Sequence, residues 1–163
     1  MKLCTLCYIE RDGCYLMLHR VKKQQDVNAG KWIGVGGKLE YLESPDDCVI
    51  REVKEETGLT LTNFRMRGVV SFFQPGWDDE MMFLYTGEAE GDMITDCDEG
   101  ILRWVPIDEV TNLNLWAGDR VFLRLLRETT DFFSLKLVYS GEDLTCCALN
   151  GQDITQATLE ELK

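Results

Sequence analysis

The stretch Gly37–Leu59, GKLEYLESPDDCVIREVKEETGL, decides how this chain is read. Ser44 is a good N-cap, Pro45 suits a first helical position, and Asp46 and Asp47 favour the positive end of a helix dipole. The spacing therefore predicts a helix that opens at Ser44–Pro45 and stops at Gly58 after Thr57. At about 100° per residue, Glu52, Glu55 and Glu56 fall on one arc of that helix. Val49, Ile50, Val53 and Thr57 fill the neighbouring arc, and Asp47, Arg51 and Lys54 are expected to face away from both. The apolar arc can dock on a sheet while the acidic arc faces a cavity. Carboxylates at i, i+3 and i+4 repel each other by about a few tenths of a kcal/mol per pair on an exposed helix, and by more in a partly dry site. Hard divalent cations take oxygen ligands of this kind and pair naturally with phosphates. A solvated acidic helix face explains the same three residues, because charge runs usually mark such faces. The triad alone does not choose.

Its surroundings do. Gly37, Glu43, Arg51, Glu52, Val53, Glu55, Glu56, Gly58 and Leu59 match every fixed position of the Nudix box: Gly, five residues, Glu, seven residues, Arg-Glu-aliphatic-x-Glu-Glu-x-Gly-aliphatic. With average residue usage a chance match at one starting position is below about one in a hundred million. The chain thus resembles the Nudix hydrolases. The resemblance implies an α/β (α+β) architecture, the Nudix fold, with a mixed β-sheet sandwiched between α-helices and the box forming loop-helix-loop. It implies hydrolysis of a nucleoside diphosphate linked to another group. It also implies that Glu52, Glu55 and Glu56 bind Mg²⁺ or Mn²⁺, with the carbonyl of Gly36 as a further ligand. Glu43 and Arg51 are expected to form an ion pair that ties loop to helix and aims the neighbouring glutamates. A later loop often adds an acid, for which Glu99 in DCDEG is the candidate and Asp98 the fallback; a plain loop acid is the rival reading in so acidic a chain. Water attack on an anionic polyphosphate needs charge neutralised and the nucleophile activated, which bound metals supply. Glu52 or Glu56 would take the proton from that water, and the sequence does not choose between them. Lys38, next to Gly37, and Arg20, at the end of the second strand, are candidate phosphate contacts. Lys22 and Lys23 read as loop solubilisers.

Outward from the box, the chain of 163 residues reads as a single Nudix domain over 1–163 with the box at 37–59. Runs at 3–9 and 14–20 around Arg11-Asp12-Gly13 predict a hairpin. Residues 21–31, VKKQQDVNAGK, read as loop. Strands are expected at 60–74, 80–89 and 101–106, a helix at 118–128, a closing hairpin at 133–139 and 143–149, and a weakly helical tail after Gly151. The 17 basic and 29 acidic residues give a net charge of −12. That balance disfavours nucleic-acid polymers and anionic membranes as partners. Seven cysteines at irregular spacing, with one CxxC (Cys4, Cys7) and no second pair, read as reduced thiols rather than a zinc site. Met1–Gly13 holds no stretch long enough for a signal peptide, and no run approaches membrane-spanning length. A cytoplasmic protein, monomer or homodimer, acting on a small nucleotide is expected. His19, the single histidine, is given no role.

The flanks bear on the substrate. Trp32-x-Gly-x-Gly-Gly-Lys ahead of the box, and WVPIDEV followed by LNLWAGDRVF, are similar to the MutT-type branch of 8-oxo-dGTP diphosphatases and its mammalian relatives. The resemblance implies that Trp116 stacks on a purine and Asp119 hydrogen-bonds its edge, with Thr5, Phe72 and Phe73 as further lining. Core packing is the rival role for Thr5 and Phe73. Two departures stand out: Ile33 occupies the place of a base-binding Asn, and Gly118 that of the first acid of a pair. A missing polar reader can cost large factors in discrimination. The expected function is therefore metal-dependent pyrophosphohydrolysis of (oxidised) purine nucleoside triphosphates such as 8-oxo-dGTP to the monophosphate and pyrophosphate. The rivals are an ADP-ribose or dinucleotide pyrophosphatase and a non-catalytic nucleotide-sensing module.

Overall fold

The computed structural model describes residues 1–94 and 97–163. Its centre is a strongly mixed sheet. The strands are β1 (Lys2–Arg11), β2 (Cys14–His19), β3 (Trp32–Ile33), β4 (Thr60–Phe73), β5 (Glu80–Glu90), β6 (Ile101–Pro106), β7 (Phe133–Ser140), β8 (Asp143–Leu149) and β9 (Gln152–Asp153). Hydrogen bonding runs in the order β3-β2-β1-β5-β4-β7-β8-β9, and β6 lies off this path against β2. β1 runs parallel to β5 over Lys2–Ile9, while β4 is parallel to β7 and antiparallel to β5.

Side chains alternate across β1 and so build two cores. Leu6 and Tyr8 face the cluster that contains Phe72, Phe122 and Leu126; Cys7 and Ile9 face the one that contains Val49, Val53 and Tyr85. The first cluster is covered by α2 (Ala117–Glu128), the second by α1 (Pro45–Thr57). A third helix, α3 (Thr155–Glu161), closes the chain. The sheet is thus sandwiched between helices, as the box implied.

α1 begins where the sequence placed it. The Ser44 hydroxyl accepts from the Asp47 N–H at 3.1 Å, and the Asp47 carboxylate accepts from the Ser44 N–H at 2.9 Å, a reciprocal capping box. It ends at Gly58, whose φ of 79° is left-handed and whose N–H returns to the Lys54 carbonyl. Two expectations for its faces are corrected. Ile50 does not dock but is 42% exposed, because Cys48, Val49 and Val53 already fill the contact with the sheet. Arg51 does not face away: it turns into the acidic arc, where carboxylates on three sides hold it.

Candidate active site

The loop ahead of α1 approaches β1 closely. Val35 and Gly37 accept hydrogen bonds from the Cys7 and Thr5 N–H groups at 2.6 and 2.8 Å. In an extended chain the intervening Gly36 then turns its polar groups the other way. Its N–H indeed donates to Glu56 Oε2 at 3.2 Å. A Cβ on Gly36 would lie 1.9 Å from the Thr5 carbonyl oxygen, and one on Gly37 would lie 2.4 Å from the Glu52 carboxyl carbon. Both glycines are therefore spaces that the fold uses.

Arg51 fastens the loop to the helix. Its Nε and Nη2 donate to the two oxygens of Glu43 at 2.7 and 2.8 Å. Nη2 also reaches the Lys38 carbonyl at 3.1 Å, and Nη1 reaches Glu52 and Glu55 at 2.7 and 3.1 Å. Hydrogen bonds from Arg51 and from the Glu40 N–H hold the Glu43 carboxyl at about 2, below its usual range.

The glutamates occupy three environments. Glu55 lies outermost, 59% exposed in its side chain, against Arg51. Glu52 is mostly buried, and burial raises its carboxyl despite Arg51. Glu56 is 7% exposed, and its Oε1 is buried with no hydrogen-bond partner. Burial, then the hydrogen bond and charge of Glu99, then Glu52, push the Glu56 carboxyl far up. Glu99 moves the other way: burial raises it, but the hydrogen bond with Glu56 and the charges of Arg20 and Lys23 outweigh that and lower it. Glu99 thus reaches the box across a long sequence gap and acts directly on Glu56.

Among the described residues no three His, Cys, Asp or Glu side chains are gathered as a ready cation cluster. Guanidinium groups take up several of the carboxylates, Arg51 holding Glu52 and Glu55 and Arg20 holding Glu99. The donor set nonetheless fits a hard divalent ion: carboxylate oxygens, a buried oxygen without a partner, and the Gly36 carbonyl on the side away from β1.

Several expected contacts sit elsewhere. Arg20 is not a free phosphate ligand: its Nε is 2.7 Å from Asp26 and its Nη1 2.5 Å from Glu99, so it reaches the site only through Glu99. Lys22 and Lys23 are anchored rather than free solubilisers, donating to the Cys97 carbonyl (2.8 Å) and to Glu99 (3.0 Å). Thr5 does not line the base pocket. It faces α1, with its hydroxyl 3.4 Å from the Gly37 carbonyl and from Cys48 Sγ. The Lys38 side chain is exposed beside the box. Phe73 points to the sheet face opposite Phe72.

On the α2 face a small cavity of about 30 Å³ is walled by Leu6, Ile33, Phe72, Met82 and Trp116, with buried Asp119 among its lining. Trp116 is 4% exposed. Phe72 and Tyr139 lie edge-on to its ring, and Lys31 Nζ sits 4.9 Å over it. Burial pushes the Asp119 carboxyl up to about 8, against the opposing pull of Lys31 and Arg120. Gly118 carries no acid because a Cβ there would meet Leu137 and the Tyr139 hydroxyl at 2.4 and 2.6 Å. The sequence reading missed two polar lining residues, Asn28 and Glu80. Glu80 alternates in phase with Met82 and Leu84 and was findable by period; Asn28 lies in an aperiodic loop and carried no signal.

Burial raises the Glu80 carboxyl, and the charges of Lys2, Asp26 and Arg20 also act on it. No helix of the described residues is long and apolar enough to cross a membrane.

Comparison with known proteins agrees with this geometry. The NUDIX domain family matches residues 3–126. The chain is 32% identical over 143 residues to the uncharacterized Nudix hydrolase YvcI of Bacillus subtilis, covering 85% of this chain and 87% of that one. It is 30% identical over 146 residues to an oxidized purine nucleoside triphosphate hydrolase of Danio rerio, covering 88% and 90%. The MutT protein of Bacillus halodurans superimposes with a TM-score of 0.81 at 28% identity, over 93% of this chain and 99% of that one. A matched box, a sheet between two helices and full-length relatives lead to one conclusion: the chain belongs to the Nudix hydrolases, enzymes that cleave diphosphate bonds and generally use a divalent metal such as Mg²⁺.

Proposed function

We propose that this protein hydrolyses purine nucleoside triphosphates to the monophosphate and pyrophosphate, with Mg²⁺ or Mn²⁺ held by Glu52, Glu56, Glu99 and the Gly36 carbonyl. The observation that carries this reading is Glu56: a buried carboxylate with an unpartnered oxygen, set beside two more acids. Such a group is unfavourable in a merely structural core and suits a polyphosphate-bound cation. Glu55 joins the set when Arg51 releases it.

When bound, the metal neutralises phosphate charge and makes the attacking water more acidic. Glu56 takes the proton from that water as its oxygen closes on phosphorus and the anhydride bond breaks. Arg51 keeps Glu52 and the Gly37–Glu43 loop in register. Lys38, exposed beside the box, contacts the leaving phosphate. The base enters the cavity beside Trp116 and Asp119. At about 30 Å³ that space holds no more than a water, so its half-buried mouth (Asn28, Ile33, Glu80, Met82) opens on binding. The relatives named for oxidized purine triphosphates and the cavity against α2 favour this substrate over ADP-ribose.

The test is pyrophosphate and phosphate release from dGTP, 8-oxo-dGTP, 2-hydroxy-dATP and ADP-ribose with Mg²⁺. Pyrophosphate from the triphosphates with the highest kcat/KM is expected. A preference for ADP-ribose would replace the substrate assignment, and tight binding without turnover of any compound would make the protein a sensor.

A further inference from the structure

The cavity assigned to the base is lined by Ile33, and Gly118 precedes Asp119; neither offers it a polar side chain, yet it is not apolar. Its walls of Leu6, Ile33, Phe72 and Met82 make no hydrogen bonds, so polar recognition falls to Asp119, Asn28 and Glu80. Asn28 is fixed in orientation. Its Oδ1 accepts from Trp116 Nε1 at 2.8 Å, and its backbone N–H is held by Asp26 Oδ1 at 3.0 Å. With the oxygen committed to the indole, both Nδ2 hydrogens remain to donate. Glu80 comes from the start of β5, with Oε2 3.9 Å from the Cys4 thiol. Burial raises its carboxyl, while the charges of Lys2 and Arg20 favour the ionised form, which accepts and cannot donate. The cavity thus offers donors from the loop and acceptors from the strand.

A guanine-type base shows the complementary edge: a carbonyl at position 6 beside N1–H and a 2-amino group. Adenine shows a 6-amino group beside an unprotonated N1, which would face a carboxylate lone pair to lone pair. We propose that Asn28 and Glu80 determine specificity for 6-oxo-2-amino purines, Asn28 Nδ2 donating to the 6-carbonyl and Glu80 accepting from N1–H and the 2-amino group. This rests on the assignment of the cavity as the base site. A polar pocket left unpaired by the wrong edge discriminates far more strongly than apolar fit does.

The test uses binding as well as turnover. Calorimetry on the full chain should give GMP a Kd at least about 10-fold below that of AMP. 1-Methyl-GMP, which lacks N1–H, should bind no better than AMP. Glu80→Gln offers one donor and one acceptor, suits adenine as well as guanine, and should bring the GMP:AMP ratio to within about 3-fold. Asn28→Ala should weaken GMP more than AMP. Equal Kd values for GMP and AMP in the wild type, tight binding of 1-methyl-GMP, or an unchanged ratio in a folded Glu80→Gln variant would each overturn the proposal. The ligand series needs no variant, so misfolding cannot hide the answer. Pyrophosphate release from GTP and ATP separates the two readings. Turnover without base preference sinks this inference alone, and base-selective binding without turnover sinks the hydrolase substrate assignment alone.

Discussion

Glu56 is where stability and chemistry pull in opposite directions. It is buried, its Oε1 lacks a partner, and its proton affinity is raised by burial and by Glu99. Glu56→Gln removes the ionisable group while its amide can still donate to Glu99. The metal-free variant should therefore melt at or above the wild-type temperature at pH 8, while kcat falls on the order of a hundred- to ten-thousand-fold. Loss of activity with an equal loss of melting temperature would make Glu56 structural. Asp119 gives a pH signature. Its folded carboxyl sits at about 8 against an ordinary 3.8, so between those values the folded state holds more protons than the unfolded one. Raising pH through that window then favours unfolding, and this contribution to stability is gone above about 8. Asp119→Asn should flatten the fall in melting temperature from pH 5 to 8; an unchanged slope would place the titration elsewhere. The box residues were legible through their match to the family pattern, because the helical spacing of Glu52, Glu55 and Glu56 fits a solvated acidic face equally well. The burial that separates Glu56 from exposed Glu55 was not, because adjacent positions on one arc differ only by what the sheet and the Glu99 loop bring against them.

At the level of elements, the loop-helix junction transmits order to the carboxylates. The two box glycines should behave differently when a methyl group is added. Gly36→Ala drives Cβ into the Thr5 backbone carbonyl, which cannot yield locally; overpacking of this kind costs about 1–3 kcal/mol and should lower the melting temperature. Gly37→Ala first meets the Glu52 side chain, which can rotate, so the fold should hold while kcat drops about 10-fold or more through a displaced ligand. Matching effects on both quantities in both variants would contradict this division. Arg51 is a fork that grips Glu43, Glu52, Glu55 and the Lys38 carbonyl at once. Lysine cannot span them, so Arg51→Lys should lower kcat about 10- to 100-fold with a smaller change in KM. A pure KM effect would argue instead for direct substrate contact. Element positions were largely legible: capping residues, the Asp12-Gly13 turn and strand alternation predicted β1, β2, α1 and α2 within a few residues. The direction of Arg51 was not, since the wheel knows the helix but not the loop folded across it. The 21–31 loop was equally opaque. It has no period, yet its Asp26, Asn28 and Lys31 cover Arg20, Trp116 and the cavity.

Over the whole molecule, the two faces of one sheet divide the work. α1 presents carboxylates on one side, α2 frames the cavity on the other, and the Asp26–Arg20–Glu99 chain runs between them. A chain with net charge −12 gathers anions only where cations intervene, which is why the proposed polyphosphate binding is metal-led at the box. The most direct measurement is anomalous diffraction at the manganese edge from crystals soaked with Mn²⁺ and a non-hydrolysable nucleoside triphosphate. The account predicts a peak bounded by Glu52, Glu56 and the Gly36 carbonyl, with Arg51 partly released and phosphate oxygens completing the shell. Nucleotide density with those side chains still held by Arg51 and Arg20, and no manganese beside Glu56, would contradict it.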